Sequence, residues 1–255
     1  MAGGAAEWDA AAYHRLAKPQ EEWAREVLER LPLNGDETVL DAGCGAGGVT
    51  RLLLERLPAG RVIGVDGSRA MVDEATANLE PLADRVDLRL ADLLDLELEE
   101  PVDAVFSNAT FHWVPDHDLL FPRLRAAMKP GAALVAQCGG QGNVAEFVAA
   151  IEEVSRRPEF AAAFEDWPWP YNFQGPEATE ARLEAAGFAE VRCWLEERPV
   201  QPEQPREFGA VAGMAPHLER LPAEKRDAFV DAVMERLEQP ITYHYVRLNI
   251  DAVAL

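Results

Sequence analysis

Cysteine is scarce in this 255-residue chain. The three cysteines, Cys44, Cys138 and Cys193, are odd in number, far apart and without the spacing of paired metal ligands. This pattern argues against a disulfide framework and against a zinc site, and it is typical of a reducing compartment. The five histidines also lack an HxxxH spacing. We therefore expect no metal site.

Basic residues are few as well: there are 45 Asp and Glu residues against 24 Lys and Arg residues, and the formal net charge is -21. A polyphosphate surface repels such a chain unless its cations form a concentrated stripe, and here the arginines are scattered. No apolar run approaches the roughly 18–20 residues of a membrane-spanning helix. The N-terminus lacks the cationic and apolar stretches of a secretion signal. We expect a soluble, cytoplasmic protein that binds neither nucleic acid nor membrane.

Short apolar strand patterns alternate with helical patterns through the first 140 residues. The predicted strands are 38–41, 61–66, 86–90, 103–106 and 132–137. Ser68 is a good N-cap for the helix after the second of them. Such alternation predicts an α/β fold, with a doubly wound, mostly parallel sheet covered by helices on both faces.

The last third of the chain has a different pattern. Residues 188–195 and 241–250 are predicted strands, and the sequence between them is rich in proline before a helical pattern carrying Phe229, Val233 and Leu237. We predict three parts: residues 1–34, an N-terminal arm and helix that closes over the site; residues 35–195 with 241–255, the core; and residues 196–240, a helical cap inserted between the last two strands.

The strongest motif is the run VLDAGCGAGG at residues 39–48. It predicts a strand that leads into a glycine loop and then a helix. Glycine permits positive φ and lets backbone N–H groups approach a ligand closely. The spacing of Gly43, Gly45 and Gly48 also satisfies the weak G-x-G-x-x-G pattern, so an NAD-dependent oxidoreductase is one alternative.

Three acidic residues stand at or near the ends of three successive predicted strands. Asp41 is unfavourable beside a dinucleotide pyrophosphate but suits a ligand with an ammonium group. Asp66 has the spacing of a carboxylate that accepts hydrogen bonds from ribose hydroxyls. Asp92 can reach an exocyclic amine of adenine. An amine, a ribose and an adenine together describe S-adenosylmethionine better than NAD.

With these motifs in this order, the sequence resembles the class I S-adenosylmethionine-dependent methyltransferases. The resemblance covers about residues 35–140, and its motifs are VLDAGCGAGG, VIGVDGS at 62–68, ADL at 91–93 and DAVFSNATFHWV at 103–114. Trp8-Asp9, Tyr13, residues 107–114 and Pro115-Asp116-His117 resemble more closely the trans-aconitate methyltransferase group, which methylates a carboxylate of a small polyacid. The resemblance implies a Rossmann-like sheet of about seven strands, in which 241–250 lies antiparallel beside the fifth strand.

The resemblance also implies a role for each matching residue, with S-adenosylhomocysteine as the demethylated product. The residues implied at the methionine end are Asp41, Gly43, Gly45 and Gly47, with Trp113 as a wall. The residues implied around the adenosine are Asp66 at the ribose, Gly67, Ser68 and Met71 at its flank, and Ala91, Asp92 and Leu93 at the adenine. Asn108 and Ala109 would lie beside the sulfonium, and Tyr13 would close over the cofactor.

The methyl acceptor is expected to be a small molecule, and two chemistries stay open. A carboxylate is already ionised at neutral pH and needs no base, and this is the leading interpretation. A hydroxylated or other apolar metabolite would need a base, for which His112 is the best-placed candidate. Arg206, Arg220 and Arg247 are candidates to hold an anionic acceptor, whereas the aromatic run at 167–171 indicates a more apolar one. A non-catalytic protein that only binds the cofactor is a further alternative.

Overall fold

Residues 18–255 are described by the structure, a computed structural model, and residues 18–22 in their backbone only. Within this range seven strands form one sheet: β1 (Thr38–Ala42), β2 (Arg61–Asp66), β3 (Val86–Leu90), β4 (Val102–Asn108), β5 (Met128–Gly139), β6 (Phe188–Val200) and β7 (Tyr243–Ala254). Their order is β3-β2-β1-β4-β5-β7-β6. The first five are parallel, and β7 is antiparallel to both β5 and β6. The predicted fold class and the predicted place of the last strand beside the fifth are confirmed.

The helices lie between these strands in chain order. The α-helices that the structure describes are α1 (Lys18–Glu29), α2 (Gly48–Arg56), α3 (Arg69–Asn78), α4 (His117–Ala126), α5 (Ala145–Ser155), α6 (Pro176–Ala185), α7 (Pro205–Ala212), α8 (Ala215–Arg220) and α9 (Ala223–Met234). None of those in the described residues is long and apolar enough to cross a membrane.

The strand order reverses between β1 and β4. The chain moves outward from β1 through β2 to β3, then returns to start again on the other side of β1 with β4. In open α/β sheets, a crevice forms at such a reversal, beyond the carboxyl ends of the strands. The fold therefore places a binding crevice where β1 and β4 end.

One apolar cluster lies away from the centre of the sheet, under the helices α7 to α9, which we call the cap. Phe147 on α5, Phe208 on α7, and Phe229 and Val233 on α9 are buried in one cluster. Tyr243 at the start of β7 belongs to the same cluster. The cap therefore packs on α5 and on the first residues of β7, above the end of the sheet.

Several boundaries differ from the predictions. Strand β6 continues to Val200 and pairs with β7 to that point, so residues 196–200 belong to the sheet. Pro199 is compatible with this because β6 is an edge strand. Helix α9 ends at Met234, so Leu237 is not on the helix of Phe229 and Val233, although it packs against the same cluster. The division into arm, core and cap units remains a prediction, and residues 1–17 of the arm lie outside the described range.

Candidate active site

A cavity of about 850 Å³ opens at the carboxyl ends of β1, β2 and β4 and continues beneath the cap. Most of the residues predicted to bind a cofactor line it, and so does His112. Those residues are Gly43, Gly45, Asp66, Gly67, Ser68, Met71, Asp92, Leu93, Asn108, Ala109 and Trp113. The sheet thus brings together residues that are up to 70 positions apart in the sequence.

The glycine loop after β1 forms one wall of the cavity. Gly43 N–H donates to the Val65 carbonyl at 2.8 Å, which ties the loop to β2. Gly43 and Gly45 have φ of 87° and 51°, in the region that favours glycine. A Cβ on Gly43 would lie 2.0 Å from Thr110 Oγ1, whereas a Cβ on Gly45 would meet nothing within 4 Å. Gly43 is therefore required for packing, and Gly45 keeps its backbone open to a ligand.

Asp66 ends β2 in the cavity wall. Its Oδ2 accepts a 2.9 Å hydrogen bond from Gly45 N–H, and its Oδ1 accepts one of the same length from Ser68 N–H. Ser68 is the N-cap of α3, since its Oγ accepts from Met71 N–H at 3.3 Å. These bonds hold the Asp66 carboxylate between the glycine loop and the start of α3.

Asp41 does not have the predicted position in the cavity wall, because it lies beneath the glycine loop. Its side chain is 1% exposed and accepts a 2.7 Å hydrogen bond from Thr50 Oγ1. Burial raises the pKa of Asp41 to about 7, against the effect of the Thr50 bond and with the help of the nearby Asp66 charge. The predicted direct contact with an ammonium group is therefore not available to this side chain, which supports the loop from below.

Three further predicted residues do not line the cavity or cannot be placed. A Cβ on Gly47 would lie 2.8 Å from Leu79 Cδ1, so this glycine serves the close packing at the start of α2. Ala91 donates its N–H to the Asp66 carbonyl at 3.0 Å and so joins the end of β3 to β2. Tyr13 lies outside the described residues.

The carboxyl end of β4 forms the side of the cavity opposite β2. Ala109 has φ of 58°, a conformation that costs an L-residue roughly 1–2 kcal/mol. Its N–H donates to the Gln137 carbonyl at 2.7 Å, which holds the strained turn against β5. Non-glycine residues in this conformation are concentrated at functional sites, and both Ala109 and its neighbour Asn108 line the cavity.

His112 lies in the short 3₁₀ turn Phe111–Trp113 after β4 and is buried. Its Nδ1 accepts a 3.2 Å hydrogen bond from Gly139 N–H, so the neutral ring carries its proton on Nε2. Burial lowers the pKa of His112 well below its usual value, and the charges of Arg247 and then His117 lower it further. This histidine is thus a neutral hydrogen-bond donor, and the hypothesis that it acts as a general base is not supported by its tautomer.

Arg247 on β7 lines the cavity close to His112 and is 2% exposed. Its Nε donates to Gln137 Oε1 at 3.3 Å, and its guanidinium carbon lies 5.3 Å from the centroid of the Trp23 ring. The other two candidate arginines differ. Arg206 does not line the cavity and pairs with Asp227 and Asp231 on the surface, and Arg220 is an exposed residue at the cavity rim.

Sequence reasoning singled out Arg247 but missed its two neighbours on the same strand face. Tyr243 and Tyr245 alternate with it along β7 and line the same cavity. Residues spaced by two lie on one face of a strand. The spacing of Tyr243 and Tyr245 from Arg247 was therefore the sequence signal that could have predicted their place in the cavity. Phe147 and Phe208, from α5 and α7, line the cavity too and had no comparable signal.

Comparison with known proteins bears on this site. Residues 39–131 match a family described as a methyltransferase domain. A trans-aconitate 2-methyltransferase from Methylobacterium radiotolerans is 32% identical over 240 residues, which cover 91% of this chain and 90% of that protein. The chain belongs to this methyltransferase family. A second trans-aconitate 2-methyltransferase, from Methylobacterium nodulans, is 34% identical over 190 residues, which cover 74% of this chain and 67% of the relative.

The methyltransferase fold is also found among solved structures. Phosphoethanolamine N-methyltransferase 2 from Haemonchus contortus, in complex with S-adenosyl-L-methionine, has a TM-score of 0.63 at 21% identity, with 96% of this chain and 56% of that chain covered. At this identity the likeness concerns the fold alone. The family match and the two relatives show that the chain is an S-adenosylmethionine-dependent methyltransferase, so the alternatives of an oxidoreductase and of a non-catalytic binding protein are wrong.

The residues of this methyltransferase fit its cofactor. Open space at Gly45 lies beside the fixed Asp66 carboxylate, where a ligand can approach the loop backbone. Asp92 lines the same end of the cavity and accepts from Leu94 N–H at 2.9 Å, which fixes its side chain after β3. The carboxylates at these two neighbouring strand ends are hydrogen-bond acceptors, which ribose hydroxyls and an exocyclic amine require.

Proposed function

We propose that this methyltransferase transfers a methyl group to a carboxylate oxygen of a small organic acid in the cytoplasm. The observation that carries the proposal is the buried guanidinium of Arg247 in the wall of the cavity. A guanidinium offers paired N–H donors that match a carboxylate. The names of the relatives, trans-aconitate 2-methyltransferases, support an acid as acceptor.

The residues at the carboxyl ends of β1 to β4 bind the cofactor in this proposal. Asp66 accepts from the ribose, Asp92 with Leu93 holds the adenine, and the loop at Gly43 and Gly45 faces the methionine end. Gly67, Ser68 and Met71 flank the adenosine, and Asn108, Ala109 and Trp113 lie on the side of the sulfonium. When bound, S-adenosylmethionine supplies a methyl group on an activated sulfonium. The closing role of Tyr13 remains a prediction on a residue outside the described range.

His112 and Arg247 orient the acceptor in this proposal. The Nε2–H of His112 donates a hydrogen bond to one carboxylate oxygen, because its Nδ1 already accepts from Gly139 N–H. Arg247 holds the carboxylate through its guanidinium, and Gln137 fixes the direction of that guanidinium through Nε. The chain's contribution is then to align the nucleophilic oxygen and to exclude water, which are effective means of catalysis for an activated methyl donor.

A carboxylate acceptor needs no proton removed, and this gives the proposal a test. The rate with an acid acceptor should be nearly flat between pH 6 and 8, because acids with pKa values of roughly 4 are already ionised there. A hydroxyl acceptor should instead show a rate that rises with pH. The profile is measured as S-adenosylhomocysteine released by the full chain from each acceptor that it methylates.

Substitution of Arg247 supplies the second arm of the test. Arg247→Gln should lower kcat/KM for an acid by about 10- to 150-fold, the loss of a charge-assisted hydrogen bond of 1.5–3 kcal/mol, while Arg247→Lys should retain part of the activity. Affinity for S-adenosylhomocysteine should stay within about twofold, since the proposal assigns Arg247 to the acceptor and not to the cofactor. Unchanged activity of Arg247→Gln on acids would contradict the proposal.

A further inference from the structure

One side of the cavity is a continuous aromatic surface, which we call the aromatic wall. It consists of Trp113, Trp169, Tyr171 and Phe173, all of which line the cavity. Tyr171 and Phe173 are stacked, with ring centroids 5.4 Å apart and planes 5° apart. Trp113 and Trp169 contact Tyr171 at centroid distances of 5.4 and 5.3 Å. The wall therefore leads from the predicted sulfonium side at Trp113 out to Trp169, which is 40% exposed.

Further aromatic rings line the cavity from the cap side. Tyr243 packs against Phe147 with centroids 5.1 Å apart and against Phe208 with centroids 5.2 Å apart. These rings come from β7, α5 and α7, and all three line the cavity. The acceptor end is thus bounded by aromatic surface from at least two directions.

Two tyrosine hydroxyls in this region are already engaged. Tyr171 donates to the Gly213 carbonyl, and Tyr243 donates to the Pro205 carbonyl at 2.6 Å. Burial raises the pKa of both hydroxyls, so they stay protonated. The first bond joins the aromatic wall to the residue that follows α7, and the second joins β7 to the start of α7. The hydroxyl groups of both tyrosines are therefore used in these bonds, and the two residues present ring surface to the cavity.

Positive charge at this end is limited. Among the described residues that line the cavity, Arg247 and Arg220 are the cations, and of these Arg247 is buried. Arg220 lies at the rim beside Glu219, donates to the Ala163 carbonyl at 3.4 Å and is exposed. A carboxylate placed against aromatic rings would lose its hydration without gaining a partner, which is unfavourable.

We infer that the preferred acceptor is a monocarboxylic acid with an apolar body of aromatic type, whose carboxylate meets Arg247 and whose body lies on the aromatic wall. A tricarboxylate has two additional charges for which the described cavity residues provide no buried cation. This inference rests on the proposed methylation of carboxylates and narrows its substrate class.

The first experiment compares acceptors on the full chain with S-adenosylmethionine. A panel of aryl- and alkyl-substituted monocarboxylic acids, including trans-cinnamate, is tested against trans-aconitate and other polycarboxylates, with cinnamyl alcohol as the uncharged counterpart. We expect the best monocarboxylate to exceed trans-aconitate in kcat/KM by at least about tenfold. Preference for a polycarboxylate would overturn the inference and leave the proposed function standing. Methylation of the alcohol without any acid would overturn both.

The second experiment trims the aromatic wall at its exposed end. Trp169→Ala should raise KM for the best monocarboxylate about 3- to 10-fold, the worth of one aromatic contact, with kcat and cofactor affinity little changed. Trp169→Phe should restore most of the loss because it returns a ring. Since Trp169 is 40% exposed, neither change removes a core residue. An unchanged KM in Trp169→Ala, or an equal effect on a polycarboxylate, would contradict contact between the acceptor body and this wall.

Discussion

Replacement of Asp41 by asparagine tests how the glycine loop is supported. Burial raises the pKa of this carboxyl from 3.8 to about 7 in the folded chain. Between these values the folded state keeps a proton that the unfolded state has released. The contribution of Asp41 to stability is therefore complete below about pH 4 and is lost as the pH rises through about 7.

The size of the effect follows from the two pKa values. The rise from 3.8 to about 7, at about 1.36 kcal/mol per pH unit, corresponds to ~4 kcal/mol over the whole range. Roughly 2.5 kcal/mol of this falls between pH 5 and 8. Asp41→Asn imitates the protonated carboxyl and does not titrate. The free energy of unfolding of the native chain should therefore fall by that amount relative to the variant between these two pH values.

Urea unfolding at pH 5 and pH 8 measures this difference, and other titrating groups cancel because they are common to both chains. Asp73→Asn, a change of an exposed residue on α3, is the matched control. The free energies of unfolding of Asp41→Asn and of the native chain could instead differ by the same amount at both pH values, and that result would refute the reasoning. It would mean that Asp41 is ionised throughout and has access to water or a cation, as the direct ammonium contact requires.

Two further predictions concern the cofactor end. Asp66→Ala should weaken S-adenosylhomocysteine binding by about 1.5–3 kcal/mol, or about 10- to 150-fold in Kd, because a charge-assisted hydrogen-bond acceptor is lost. Calorimetry measures this Kd, and an unchanged value would exclude Asp66 as the ribose ligand. Gly45→Ala should cost about 1 kcal/mol of stability, since alanine is strained at positive φ, and should also weaken cofactor binding, because its methyl group enters the open space of the cavity. Normal binding by a folded Gly45→Ala chain would show that no ligand approaches the loop there.

Much of the sheet was predictable because its strands are short, apolar and bounded by polar residues. Strands β2 and β3 have the predicted limits, residues 61–66 and 86–90. Helix α7 was missed because it has only eight residues, carries Gly209 in its interior and follows a proline-rich stretch. Gly209 is nevertheless required, since a Cβ there would lie 2.3 Å from the Tyr243 hydroxyl, a contact that joins residues 34 apart.

The site was predictable where a residue's position in a motif decides its role. Asp66 and Gly45 end up in the cavity because strand ends and the loop after β1 are placed by the sheet order. Asp41 was misjudged because its position at a strand end does not show that Thr50 and the loop cover it. The tautomer of His112 depends on the N–H of Gly139, which is 27 residues away at the end of β5. Such contacts follow from packing and have no local sequence pattern.

The chemical nature of the transferred methyl group tests the central claim most directly. The full chain is incubated with methyl-labelled S-adenosylmethionine and the best acid from the acceptor panel, and the isolated product is treated with mild alkali. A methyl ester releases its label as methanol, and the account predicts this release together with recovery of the unmodified acid. A label that stays bound to the product through alkali, as an ether, N-methyl or C-methyl group does, would contradict the assignment of a carboxylate oxygen as the methyl acceptor.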